Sequence, residues 1–153
     1  MTKELGVSVF DEPITRTYND KIFYIGHGDG LGPGDYWYKL LKWIFRNKIS
    51  QWMYSRIHPN LSFWLARASS LKSRAATGNS DEIFEGADKE WLYIYCKEYL
   101  ANNKVDYFVF GHRHLPLDLD IEGKARYVNL GDWIRYNTYA VFDGNTLELK
   151  YYK

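Results

Sequence analysis

The sequence predicts a layered α/β or α+β domain, with a helical insertion behind its second strand. Three observations predict it. Two short apolar runs, KIFYI at 21–25 and YFVF at 107–110, each stop at a glycine followed by histidine. Between them lies a long stretch with helical spacing of its apolar residues. After them come further strand signals and a hairpin signal.

The elements follow in order. Residues 7–10 read as a short strand, closed by Asp11, Glu12 and Pro13. Lys21–Ile25 reads as a second strand, ended by Gly26. Residues 26–35 (GHGDGLGPGD) hold five glycines and one proline, so they form a loop. Trp37, Leu40, Leu41 and Ile44 recur at helical spacing, as do Ile49, Trp52, Met53 and Ile57. His58-Pro59-Asn60 breaks that pattern, and Asn60 is placed to cap a third helix reaching Leu71. Residues 77–82 read as a polar link.

Asp88 is placed to cap a helix running to about Leu100, with Glu90 early and Lys97 late, as the helix dipole favours. Asn102-Asn103 ends it. Residues 105–110 are nearly continuously apolar, which predicts a strand buried on both faces. Residues 126–130 predict another strand, ending in Gly131-Asp132-Trp133. Residues 138–142 and 147–152 flank Asp143-Gly144-Asn145, a hairpin signal.

Composition narrows the function. The 153 residues carry a net charge of +1, which gives the whole molecule no strong attraction to polyanions. A single cysteine, Cys96, excludes an internal disulfide framework and suits a buried thiol in a reducing compartment. No apolar run is long enough for a membrane-spanning helix, and no signal peptide is expected. The average charge hides an asymmetry. Residues 36–80 contain no Asp or Glu and eight Lys or Arg, so this segment carries +8 and the remainder −7. It also holds nine of the chain's aromatic residues. A solvated helical face would normally carry acids as well. Stacking aromatics with lysines would suit single-stranded nucleic acid. Trp, Leu and Ile at helical spacing instead favour a membrane-surface element facing anionic headgroups, and no nucleic acid is expected.

The chemistry-bearing residues gather at two strand ends. If the strands before Gly26 and Gly111 are neighbours, His27, His112 and His114 converge at the carboxyl edge of the sheet, where layered α/β proteins collect ligands. Neutral imidazoles suit zinc, manganese or iron. Asp29, Asp35 and Asp132 could orient such an imidazole or meet a substrate hydroxyl. His58 reads as a helix-terminal or surface residue. The glycine pattern lacks the Lys-Ser/Thr of a P-loop and is no dinucleotide fingerprint. Residues 67–74 (RASSLKSR) put three cations and three hydroxyls within eight residues, which suits a phosphate or diphosphate.

Phe110-Gly111-His112-Arg113-His114 resembles the terminal Gly-His-x-His motif of the calcineurin-like metallophosphoesterases. Gly26-His27-Gly28-Asp29 resembles their preceding histidine motif. The basic insertion and Asn129-Leu130-Gly131-Asp132-Trp133 resemble the UDP-2,3-diacylglucosamine hydrolase branch, which serves lipid A biosynthesis. The resemblance covers essentially the whole chain. It implies a metallophosphoesterase-like β-sandwich flanked by helices, with a helical lid insertion at 36–80. It also implies two divalent metal ions, usually manganese, and a hydroxide attacking a phosphorus of the diphosphate of a lipid-linked UDP-sugar. The implied products are UMP and 2,3-diacylglucosamine 1-phosphate.

By the same resemblance, His27 and His112 would ligate one metal and His114 the other. His112 would also stabilise developing charge. Arg67, Lys72, Ser73 and Arg74 would meet the phosphates and glucosamine, with Asp35 under the lid. The implied location is cytoplasmic, peripheral to the inner membrane. The family's Asp-x-His, Gly-Asp and Gly-Asn-His motifs do not occur in these 153 residues. Residues 1–153 are therefore expected to be the C-terminal portion of such a domain. The fold is expected to be incomplete, with activity weak or absent in this chain alone. Self-association, or pairing with an N-terminal half, is expected at an open sheet edge.

Overall fold

The computed structural model describes Gly6 and residues 8–31, 36–77 and 83–153, without the side chains at 36–39, 42 and 71–77. Chain order runs β1 (Ile14–Tyr18), β2 (Lys21–Ile25), α1 (Tyr36–Arg46), α2 (Lys48–Tyr54), α3 (Pro59–Thr77), α4 (Trp91–Leu100), β3 (Tyr107–Phe110), β4 (Pro116–Ile121), β5 (Ala125–Leu130), β6 (Thr138–Phe142) and β7 (Leu147–Tyr151). The domain is mixed α/β, with a five-stranded sheet in the order β1-β2-β3-β5-β4 and a two-stranded sheet of β6 and β7.

The central strands β2, β3 and β5 run parallel, and β1 and β4 are antiparallel at the two edges. All four residues of β3 are buried, as a continuous apolar run predicts. Period-two alternation sends Phe108 and Phe110 to one face and Tyr107 and Val109 to the other. The first face packs with Tyr24 and Tyr127 against Leu92 and Cys96 of α4. The second packs with Phe23 and Val128 against Leu147 of the hairpin sheet. Phe108, with no exposed surface, sits in the first of these layers. Burying a side chain of that size contributes about 1.5–3 kcal/mol.

Two strands differ from the sequence expectation. Ser8, Val9 and Phe10 have no regular structure, and the edge strand lies beyond Pro13 as β1. Asn19 and Asp20 take φ values of 46° and 62° and turn the chain tightly, so Tyr18 pairs with Lys21. This is the left-handed geometry that favours Asn and Asp in a two-residue hairpin turn. β4 is also present, where no strand was expected. Its outward residues Asp118 and Asp120 are charged, which suits an edge strand.

The helix ends differ as well. α4 starts at Trp91 with Glu90 in the capping position, and Asp88 lies in the turn before it. Pro59 is the first residue of α3, the position proline favours. His58 serves as its side-chain cap, its Nδ1 accepting the Asn60 N–H at 3.3 Å. The helix continues past Leu71 to Thr77. Among the described residues no helix is long and apolar enough to cross a membrane.

Candidate functional site

The site follows from one pairing. β2 and β3 lie side by side with Ile25 opposite Val109, so both chains leave the sheet at the same edge. The pairing continues past the strands, as the Gly26 N–H donates to Val109 O and the Gly111 N–H donates to His27 O, both at 3.1 Å. The two loops are therefore stitched together where the histidines leave them.

His27 and His112 meet there. Nε2 of His27 and Nδ1 of His112 are 3.4 Å apart, and the rings stand nearly perpendicular at 5.2 Å between centres. Gly28 makes room for this contact. It takes φ +103°, and a Cβ on it would lie 3.2 Å from Leu92 Cδ1 and 3.3 Å from His112 Cβ. Glycine takes that backbone conformation without the steric penalty of a side chain.

His114 stands apart from that contact. It has φ +54° and a side chain 63% exposed, and its Nδ1 is 4.0 Å from Asp132 Oδ2. Asp132 also accepts the N–H groups of Ile134 and Arg135. These backbone donors, Arg135 first, hold its carboxyl below the ordinary range. Asp132 is thus a fixed anion beside one imidazole.

A cleft borders His27, and a buried ion pair is made by Arg113, the residue after His112. Asp29, with His27, Gly28, Leu31, Asp11, Glu12 and Arg46, lines a cleft of about 220 Å³. Arg46, the last residue of α1, lies 3.6 Å from Asp11 and 3.7 Å from Glu12, so the insertion is tied to the loop before β1. On the other side, Arg113 Nε lies 3.1 Å from Glu90 Oε2, with side chains only 10% and 2% exposed. The Tyr127 hydroxyl donates to Glu90 Oε1 at 3.5 Å, and Arg113 Nη2 donates to Ile83 O at 3.1 Å. Burial pushes the Glu90 carboxyl up, and the Arg113 charge opposes that rise.

Two imidazoles from adjoining strand ends suit a first-row divalent cation. Among the described residues, no group of three His, Cys, Asp or Glu is placed to hold one. Two imidazoles alone make an incomplete donor set, and the described carboxylates do not complete it. Arg67 is exposed on α3. Lys72, Ser73 and Arg74 fall in the same helix, but their side chains lie outside the described ones, and Asp35 lies outside the described residues.

Sequence reasoning missed Glu90, Trp91 and the role of Arg113. It placed Glu90 at the helix start as a partner of the dipole, whereas the carboxylate turns inward to Arg113. The available signal was an arginine between two candidate ligands, a position that needs a counter-charge if buried.

No protein-family model matches the chain. A UDP-2,3-diacylglucosamine hydrolase of Porphyromonas gingivalis (strain ATCC BAA-308 / W83) is 39% identical over 163 aligned residues, covering 98% of this chain and 62% of that protein. UDP-2,3-diacylglucosamine hydrolases from two strains of Pseudomonas putida, KT2440 and F1, are each 28% identical, over 87% and 85% of this chain and 55% and 54% of their own lengths. The chain spans less than two thirds of the length of these curated relatives. By identity extending over nearly its whole length, the chain is homologous to part of the UDP-2,3-diacylglucosamine hydrolases.

Proposed function

We propose that the chain supplies the histidine half of a metallophosphoesterase site. That site would hydrolyse the diphosphate bond of UDP-2,3-diacylglucosamine, releasing UMP and 2,3-diacylglucosamine 1-phosphate for lipid A synthesis. The observation that carries this reading is the 3.4 Å approach of His27 and His112 across the parallel β2–β3 pair. The names of the relatives supply the substrate.

In this reading His27 and His112 hold one divalent cation and His114, beside Asp132, holds a second. When bound, such cations, manganese by resemblance, supply Lewis acidity and a nucleophilic hydroxide. His112 would also stabilise developing charge on the reacting phosphate. Arg67, Lys72, Ser73 and Arg74 take the phosphates and glucosamine, with Asp35 beneath the helices of 36–80 acting as a lid. The two stacked sheets then correspond to a metallophosphoesterase-like β-sandwich. Among the described residues the second sheet has two strands, and an apolar groove of about 660 Å³ opens between it and the main sheet. We infer that a further strand-bearing polypeptide segment, carrying the missing carboxylate ligands, fills this groove.

The test is UMP release together with metal content, measured for this chain alone and for a polypeptide of the relatives' full length. Turnover and two bound metals are expected only for the longer form. Two tightly bound metals with full turnover in the 153-residue chain would refute the division of labour.

A second reading has its own observation. Trp43, Phe45, Trp52, Phe63 and Trp64 are exposed on α1, α2 and α3, in the segment free of acids. A non-catalytic module docking on anionic lipid through these residues would sit on the cytoplasmic face of the inner membrane. Vesicle binding that survives His112→Ala and His114→Ala, yet is lost on charge reversal at Lys39 and Lys42, would favour it. The two readings coincide if the lipid surface also presents the substrate.

A further inference from the structure

We propose that the buried Glu90–Arg113 pair positions the histidine loop, locking it to the start of α4 and to the chain that returns from the helical insertion. The proposal rests on reading His112 and His114 as functional groups, and it goes beyond that reading by naming what aims them.

Two consecutive residues on one side meet two consecutive residues on the other. Glu90 pairs with Arg113, and the Trp91 ring meets the His112 ring edge-on at 5.6 Å and 79°. A loop held at two adjacent points has little freedom to rotate. Arg113 also reaches Ile83 O, on the segment that follows the insertion. One guanidinium fork thus ties together the loop, the helix start and the returning chain. The guanidinium suits this role because it stays charged and meets two partners through different nitrogens, Nε in an ion pair with Glu90 and Nη2 donating to Ile83 O.

The backbone gives an independent reason for a clamp. His114 sits at φ +54°, in the left-handed region that a residue with a Cβ enters at a cost. Such conformations persist where the surroundings over-determine them. Arg113, the residue before it, is anchored at two separate partners. Burial raises the stakes, because a lone charge left among these groups would lack compensation. Tyr127, fully buried in β5, adds its hydroxyl to Glu90 and so fixes the carboxylate from the sheet side.

The test reads the histidines directly, without metal or substrate. The chain has four histidines, so their ring signals can be resolved by nuclear magnetic resonance. In the unaltered chain, through-space cross-peaks are expected between His27 and His112 and between Trp91 and His112. Arg113→Met should abolish both and shift the ring signals of His112 and His114, leaving His58 where it was. Arg113→Lys should restore the charge but only part of the geometry, giving intermediate cross-peaks. Glu90→Gln keeps the shape of the side chain and should move the same two histidines. If Arg113→Met does not fold, the Lys and Gln variants carry the comparison. A lower melting temperature with unchanged cross-peaks would overturn the proposal, as would absence of the cross-peaks in the unaltered chain. Failure to release UMP would count against the hydrolase reading and leave this result untouched.

Discussion

Gly28 faces His112 so closely that a methyl group on Gly28 would lie 3.3 Å from the histidine Cβ. The same methyl would lie 3.2 Å from Leu92 Cδ1, at a backbone angle of φ +103°. Gly28→Ala should therefore cost about 1–3 kcal/mol through backbone strain, and should push the His112 ring away from His27. Urea denaturation measures the first effect, and the cross-peak between the two rings reports the second. An alanine variant as stable as the parent, with the cross-peak intact, would show that the contact is looser than described.

The core predicts a larger loss. Phe108 is fully buried between α4 and the sheet, against Tyr24, Tyr99 and Phe110. Phe108→Ala should destabilise by about 3–5 kcal/mol. The midpoint of a denaturant titration checks it. A loss under about 1 kcal/mol would mean that the neighbouring rings collapse into the space.

The hairpin turn predicts a pH dependence. Asp143 accepts the N–H groups of Asn145 at 2.7 Å and Thr146 at 2.8 Å. These backbone donors, Thr146 first, hold its carboxyl below the ordinary value. A carboxyl depressed on folding stabilises fully above its unfolded value, near about 4, and the stabilisation is lost as pH falls through the folded value. Asp143→Asn keeps an acceptor and removes the charge. Its melting temperature should lie below the parent's at neutral pH, with the gap closing as pH falls below the carboxylate range. A gap independent of pH would assign the effect to shape alone.

Cys96 predicts a reactivity. It has no exposed surface, and burial pushes its thiol well above the ordinary range. Labelling by a thiol reagent should be negligible in the native chain and should rise in step with unfolding. Rapid labelling under native conditions would show that α4 opens locally.

These elements were unequally legible in the sequence. β2 and β3 were plain, because each is a short apolar run cut by a glycine, and their shared edge brought His27 and His112 together as expected. β1 was not, because its burial is slight and Thr15, Arg16 and Thr17 resemble loop residues. β4 was missed for a similar reason, with Asp118 and Asp120 masking the alternation of Leu117 and Leu119. Edge strands carry charge to discourage further pairing, and that same charge hides them. Glu90 was visible only as a helix-start acid, since a tertiary partner 23 positions away leaves no periodic trace. The convergence of His114 with the other two histidines was expected from strand ends alone. Its left-handed backbone instead sets it beside Asp132.

The two histidines that touch are 85 positions apart, with the insertion and α4 lying between them in the chain. Contacts at such separation close a long loop and form late. During synthesis, His27 leaves the ribosome well before its partner strand exists, so the earlier half waits beside a growing helical segment rich in exposed Trp and Phe. The contact between His27 and His112 is therefore expected to form late in folding. Its assembly can be timed, and the proximity of two imidazole rings is a direct clock for completion of the sheet.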